Sequence, residues 1–356
     1  MLADDCGCVN GLKGEDVTDA RQTVAGIGEF ALIDRLAAAL PPAARIDEID
    51  LGIGDDAAVW APAPGDVSVI TTDTLVEGIH FRLDWTDWRS LGFKALAVNL
   101  SDIAAMGAAP RLATITLGLR GSERVADLVS LYEGIGELAE VHRTAIAGGD
   151  IVRSPECLSI SVTAIGEVRR ERLLRRSGAR VGDVIAVSGT IGASAAGLQI
   201  LANPERFAGM ATTGLLVSAH LQPIPRIALG QLLGELGVAA AMDLSDGLLG
   251  DLPKILAASG VGAMVDARAL PVAPSVRALF PDTWPDLALR GGEDYELLFT
   301  APPSRFDEIL RRAEAIGSTV TAIGRIEPEL HGLALRGLDG EEHVVVPGAF
   351  DHFGAS

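Results

Sequence analysis

The chain has 356 residues, 29 basic and 48 acidic side chains, and a formal net charge of −19 at pH 7. With 48% apolar and 22% charged residues it has a globular composition, long enough for about two domains. The acidic balance argues against a nucleic-acid partner, no apolar run reaches the roughly 18–20 residues of a membrane span, and the acidic start lacks the apolar stretch of a secretory signal.

Residues 1–27 read as a mobile, Asp- and Gly-rich extension before the fold. Phe30, Ile33, Leu36 and Leu40 recur at helical spacing, and Pro41-Pro42 stops that helix. Short strands follow at 57–60 and from Val67 into Thr71-Thr72-Asp73. A long helix spans 87–106, with Leu91, Ala95, Val98, Asp102 and Ala105 on one stripe. Strand 111–119, helix 123–142, a strand into Gly148-Gly149-Asp150 and strand 157–165 complete a first unit, 28–168. The arginine-rich stretch 168–180 crosses to a second unit, 169–356. Its expected elements are strand 183–188, helix 193–202, strand 238–242, helix 247–259, strands 261–266 and 295–300, helix 304–316 and strand 319–326. Adjacent strands mixed with single helices favour α+β over a doubly wound parallel sheet.

Three cysteines make no disulfide framework, so the cytoplasm is the expected compartment. No P-loop, HExxH, GxSxG or paired CxxC pattern is present. Cys6 and Cys8 could bind metal or do redox chemistry, but they stand in an unpatterned tail.

The informative residues are acidic. Asp55-Asp56, Asp73, Asp102, Asp150, Asp243 with Asp246, and Glu293-Asp294 sit beside glycine at strand ends or within apolar helix. A carboxylate there loses hydration unless a cation meets it. Lysine occurs only at Lys13, Lys94 and Lys254, which leaves arginine or a hard divalent metal such as Mg²⁺. Each residue also has a plain reading. Asp102 could pair with Lys94, Ser245 or Asp246 could cap the helix after Gly247, and Gly148-Gly149-Asp150 could be a turn. His80 could be a satisfied histidine. Arg176 could be a surface arginine or a phosphate clamp.

Eight segments in order resemble one family, the thiamine-monophosphate kinases. They are GEFALI from Gly28, GIGDDAA from Gly52, TTDTLVEGIHF from Thr71 and KALAVNLSDIAAMG from Lys94, then GGD from Gly148, RSGA from Arg176, DLSDGL from Asp243 and GGEDYEL from Gly291. The resemblance covers about residues 28–353 and implies a two-domain PurM-like fold, shared with aminoimidazole ribonucleotide and selenophosphate synthetases and a hydrogenase-maturation protein. It implies a homodimer paired through the amino-terminal sheets. The implied reaction is direct transfer of the ATP γ-phosphoryl to thiamine monophosphate, the final step of thiamine diphosphate biosynthesis.

Carried over by position, ligands for several Mg²⁺ ions fall on Asp56, Thr71, Thr72, Asp73, Asp102, Asp150, Asp243 and Asp246. ATP contacts fall on Tyr132, Gly149, Arg176 and Ser245. Thiamine-phosphate contacts fall on His80, Glu293 and Phe350, where the family often has another aromatic. The alternatives are a sister ATP-dependent synthetase of the same fold and a non-catalytic ATP- or Mg²⁺-binding partner protein.

Overall fold

Alternating strands and continuously apolar strands occur in different halves of this chain, and they build two different sheets. A computed structural model describes residues 22–42, 49–51, 58–238 and 240–345. Asp55, Asp56, Phe350 and the tail with Cys6 and Cys8 lie outside the described residues. Residues 22–27, which the sequence places in the extension, are held against the 121–125 loop: Val24 N–H donates to Glu123 O and Val125 N–H to Gln22 O.

The first half runs α1 (Val24–Ile27), α2 (Glu29–Ala39), a small antiparallel pair β1 (Ile49–Leu51) and β2 (Val59–Trp60), β3 (Asp66–Val76), α3 (Trp88–Ala105), β4 (Ala109–Leu119), α4 (Val125–His142), β5 (Ala145–Arg153) and β6 (Ser159–Arg169). Its main sheet has the order β3-β6-β4-β5, with β4 and β5 parallel and the other pairs antiparallel. In β6, Ile160, Val162 and Ala164 enter the core under the helices, while Ser159, Ser161 and Thr163 face the other way. That outer face carries a hydroxyl ladder: Thr163 Oγ1 donates to Thr72 Oγ1 at 3.2 Å, and Thr74 and Ser161 oxygens lie 2.6 Å apart. This is the period-two pattern of a sheet covered on one side.

The second half runs β7 (Val184–Ser188), α5 (Ala193–Ala202), α6 (Thr213–Leu221), α7 (Ile227–Glu235), β8 (Ala240–Asp243), α8 (Leu248–Ser259), β9 (Val261–Asp266), α9 (Pro274–Leu279), α10 (Trp284–Arg290), β10 (Leu297–Ala301), α11 (Pro303–Ala315), β11 (Val320–Pro328), β12 (Leu333–Arg336) and β13 (Glu342–Val344). The sheet order is β13-β12-β9-β11-β7-β10-β8, antiparallel except between β12 and β9. In β10, Leu297, Phe299 and Ala301 join one core and Leu298 the other, so helices cover both faces and the strand is apolar except for the buried Thr300. Helices α6, α7, α9 and α10 and the edge strands β12 and β13 carry no clear periodicity in the sequence and are additions to the expected elements.

Helix α3 joins the two halves. Asp87 caps it, accepting from Ser90 N–H at 2.8 Å. It is buried on nearly every side, against α4, the first sheet, α7 and β8, rather than along one stripe. Its few polar side chains are therefore aimed at specific partners in both halves.

Candidate active site

Three of the expected acidic residues converge from three elements. Asp73 comes from β3, Asp102 from α3 and Asp243 from the end of β8. Thr71 Oγ1 donates to Asp102 Oδ2 at 2.5 Å, and Asn99 Oδ1 accepts from Asp73 N–H at 3.0 Å. Ser101 Oγ donates to Asp243 Oδ2 at 2.7 Å, tying α3 to the second sheet. Asn99 and Ser101 are fully buried, and the motif KALAVNLSDIAAMG is apolar around them for that reason.

Burial raises all three carboxylates, and the Asp102 charge adds to the rise of the other two. Burial, and then the Asp102 charge, pushes Asp73 up to about 6. Burial raises Asp102 as well, against its Thr71 hydrogen bond and the nearby Arg176 charge. Asp243 is pushed up to about 7, first by burial and then by Asp102, with Asp251 and Asp73 adding to it. Repulsion of this kind fits a hard cation, which prefers carboxylate oxygens. Among the described residues no three His, Cys, Asp or Glu side chains close into a ready chelate, so any ion here would complete its shell with water or substrate.

Asp246 has a different setting. Lys254 Nζ donates to Asp246 Oδ2 at 2.6 Å and to Asp251 Oδ1 at 2.7 Å. Asp251 Oδ2 accepts the backbone N–H groups of Ser245 and Asp246, at 3.0 and 2.9 Å. The capping reading of Ser245 or Asp246 therefore fails: Gly247 occupies the cap position, and Asp251 in the first helical turn reaches back to the loop.

Thr72 and Asp150 lie elsewhere. Pairing along the sheet sets Asp73, Val162, Ile115 and Gly149 in one row, and Thr74, Ser161, Thr116 and Asp150 in the next. Thr71 and Asp73 thus face the helices, while Thr72 and Asp150 face outward. Asp150, on edge strand β5, stands three strand spacings from β3, about 14 Å. Within one chain it does not join the Asp73 cluster. Gly148-Gly149-Asp150 is strand interior, not a turn, and a Cβ on Gly149 would lie 2.0 Å from Ile115 O, so glycine is required by packing. Tyr132 is buried in α4, where burial pushes its phenol up. Arg176 is exposed and within electrostatic reach of Asp102.

Beside the cluster is a cavity of about 340 Å³, lined by His80, Phe81, Trp85, Lys94, His220 and Glu293 among others. Lys94 Nζ meets Glu293 Oε1 at 2.8 Å, so Lys94 does not pair with Asp102. His220 Nδ1 lies 3.4 Å from Glu293 Oε2 and 3.0 Å from Ser194 Oγ. Burial would raise Glu293, but the Lys94 ammonium and the contacts around it outweigh that and hold the carboxyl below its usual range. His80 Nδ1 accepts from Val76 N–H at 3.1 Å, which leaves the proton of the neutral ring on Nε2. Glu293 and Tyr295 both adopt left-handed backbone, φ 64° and 51°. A Cβ on Gly292 would approach Ser245 O to 2.4 Å, so the 291–295 turn packs directly on the 243–246 loop. Burial raises the Tyr295 phenol, and Glu293, Asp243, Asp73 and Asp102 all add to that rise, so this ring is within electrostatic reach of both cavity and cluster.

Residues 54–168 match the family described as AIR synthase related protein, N-terminal domain, and residues 180–333 match its C-terminal domain. Two such domains in tandem, of PurM-like α+β architecture, are the class that this fold and acidic site define. The thiamine-monophosphate kinase of Escherichia coli (strain K12) is 41% identical over 327 residues, 92% of this chain and 98% of that protein. The crystal structure of thiamine-monophosphate kinase from Stenotrophomonas maltophilia K279a superposes with a TM-score of 0.78 at 42% identity, covering 88% of this chain and 98% of that one. AaThiL complexed with AMPPCP and TMP gives a TM-score of 0.72 at 34% identity, covering 92% and 97%. The chain belongs to the thiamine-monophosphate kinase family.

Proposed function

We infer that this protein phosphorylates thiamine monophosphate at the expense of ATP. The bond between the γ-phosphorus and the β,γ-bridging oxygen breaks, a bond forms from that phosphorus to a phosphate oxygen of the acceptor, and ADP leaves with the electron pair. The observation that carries the reading is the pairing of a self-repelling carboxylate cluster with a walled cavity holding a fixed acceptor, Glu293, in a family whose relative AaThiL was crystallised with AMPPCP and TMP.

The acceptor phosphate is already ionised, so the protein needs no strong base; the work is positioning and charge control. Mg²⁺, when bound, would screen two polyanions from each other. Asp73, Asp102 and Asp243 are the described residues best suited to hold it, with Thr71, Thr72, Asp150, Asp246 and Asp56 as further ligands. Arg176, Ser245, Tyr132 and Gly149 are assigned to ATP. His80, Glu293 and Phe350 are assigned to the thiamine end. With a boundary near 168, both domains contribute to the site.

A homodimer is supported by the position of Asp150. Strands β3 and β5 are the two edges of the first sheet, and Asp150 and Asp73 occupy opposite edges; the outer face mixes hydroxyl side chains with the exposed Ile70 and Val152 and a small apolar cluster of Leu112, Ala145 and Ile165 beside Trp60. Pairing β5 of one subunit beside β3 of the other would bring Asp150, on the outward face, to the edge strand that carries Thr72 on that face and Asp73 on the other. ATP as co-substrate supports a cytoplasmic location, and among the described residues no helix is long and apolar enough to cross a membrane.

The test is chromatography of a reaction of purified protein, ATP, Mg²⁺ and thiamine monophosphate. Equal yields of thiamine diphosphate and ADP, both lost with EDTA, are expected; ADP without thiamine diphosphate would overturn the assignment. For the shared site, mixing inactive Asp73→Asn and Asp150→Asn proteins should restore roughly a quarter of wild-type activity through heterodimers.

A further inference from the structure

Lys94 is one of three lysines in the chain and lies almost wholly buried in α3. A buried ion pair is poor value as a stabilising device, because desolvation offsets most of the attraction. Here the pair lies on a cavity wall, and everything around it restricts one carboxylate. Glu293 is tied at Oε1 by Lys94 from α3 and faced at Oε2 by His220 from α6. His220 Nδ1 is itself anchored by the Ser194 hydroxyl of α5. The Glu293 backbone, in left-handed conformation, donates its N–H to Ser245 O at 2.8 Å. Strain of this kind persists only where surroundings over-determine it, and it clusters at ligand clamps.

We propose that Lys94 and His220 are positioning residues that set Glu293 as a single, immobile acceptor for the heterocyclic end of the substrate, and so determine specificity for a ring bearing an amino donor. This rests on the kinase reading above. The Lys94 charge balances Glu293, so the cavity attracts its ligand by directed hydrogen bonding rather than by bulk negative charge. Phe81 and Trp85 supply the apolar wall, and Arg82, which also lines the cavity, is occupied by Asp84. His220, with Nδ1 held between Ser194 and Glu293, stops the carboxylate from rotating toward α5. The role differs from that of the acidic cluster, because neither residue would touch the phosphates.

The experiment is steady-state kinetics of the full-length protein with thiamine monophosphate and ATP varied separately. His220→Leu and Lys94→Met should each raise KM for thiamine monophosphate about tenfold or more, with KM for ATP changed less than about twofold. His220→Asn, whose amide can still donate toward Glu293, should recover most of that loss. Should Lys94→Met fail to fold, the His220→Leu and His220→Asn pair carries the test, with circular dichroism confirming folded protein. An unchanged KM for thiamine monophosphate in folded His220→Leu overturns the proposal. So does an equal rise in both KM values, or a loss confined to kcat, since either marks a merely structural role. A wild-type protein that makes no thiamine diphosphate would instead overturn the kinase reading and this inference with it.

Discussion

The two parts of the site treat charge in opposite ways. At the cluster, Asp73, Asp102 and Asp243 come together from three elements, and among the described residues the cation that opposes the rise is the exposed Arg176, acting on Asp102. In the neighbouring cavity, Glu293 meets Lys94 and His220 and stays ionised. One helix, α3, supplies residues to both, Lys94 and Asp102 lying eight residues or about 12 Å apart along it. The difference teaches what each part is for. Charge left uncompensated by the protein is a place for something to bind, whereas charge compensated internally is a fixed tool.

The same chemical change should therefore have opposite effects on stability in the two places. Asp243→Asn is expected to lower turnover at least about a thousandfold, the largest effect foreseen, because it removes charge from the place where phosphates must be screened. Yet it should raise stability in EDTA at pH 8 by about 1–3 kcal/mol, since a carboxylate pushed up to about 7 is ionised there at a cost. Turnover near the wild-type rate would break the ligand assignment, and a lower melting temperature in EDTA would break the repulsion argument. Glu293→Gln makes the reverse case. It leaves the Lys94 ammonium buried without a counter-charge and should cost about 3–5 kcal/mol in urea unfolding, as removal of one partner of a buried pair does. A loss below about 0.5 kcal/mol would show that solvent reaches Lys94 and that the pair is no clamp.

That asymmetry also explains how much of the molecule could be read from its sequence. Asp73, Asp102 and Asp243 were legible because a carboxylate in an apolar run is conspicuous whatever surrounds it. The two sheets were legible in part, since β6 alternates and β10 does not. The compensated half was not legible, because it depends on distant partners. Lys94 offers Asp102 as a sequence neighbour, but eight residues of helix separate them, and the actual partner lies on the 291–295 turn. His220 and Ser194 belong to no motif, and α6, which carries His220, shows no amphipathic period. Asp251 escaped notice because the nearer Ser245 and Asp246 look like helix caps; a third acid in DLSDGLLGD one turn into the helix was the available signal. Strand alternation puts Thr72 on the face opposite Asp73, but that Asp150 shares the face of Thr72 follows only from the pairing register, and that β3 and β5 are the two edges only from the sheet order.

Two smaller effects sharpen the comparison. His220 is buried, and burial, with Lys94 adding and Glu293 opposing, lowers its pKa to about 4. The unfolded chain therefore binds a proton near pH 6.5 that the folded protein refuses until about pH 4. The stability it contributes is complete above pH 6.5 and is lost as pH falls toward 4, by about 3 kcal/mol if the shift is fully expressed. The difference in urea midpoint between wild type and His220→Asn should grow in favour of the variant across that window; parallel curves would mean that Glu293 admits a charged His220.

The smallest effect tests whether α3 carries the two parts as one rigid element. Asp87 accepts from both Ser90 N–H and Ser90 Oγ at 2.8 Å, capping the end of α3 nearest the cavity, where Thr86 and Leu91 are lining residues. Asp87→Ala should cost about 1 kcal/mol of stability. If the helix is rigid from its first turn to Asp102, the small fraying should leave KM for ATP and for thiamine monophosphate unchanged together. If instead the first turn moves independently of the rest, KM for thiamine monophosphate alone should rise, because the cavity borders that turn while the cluster lies four turns of helix further on.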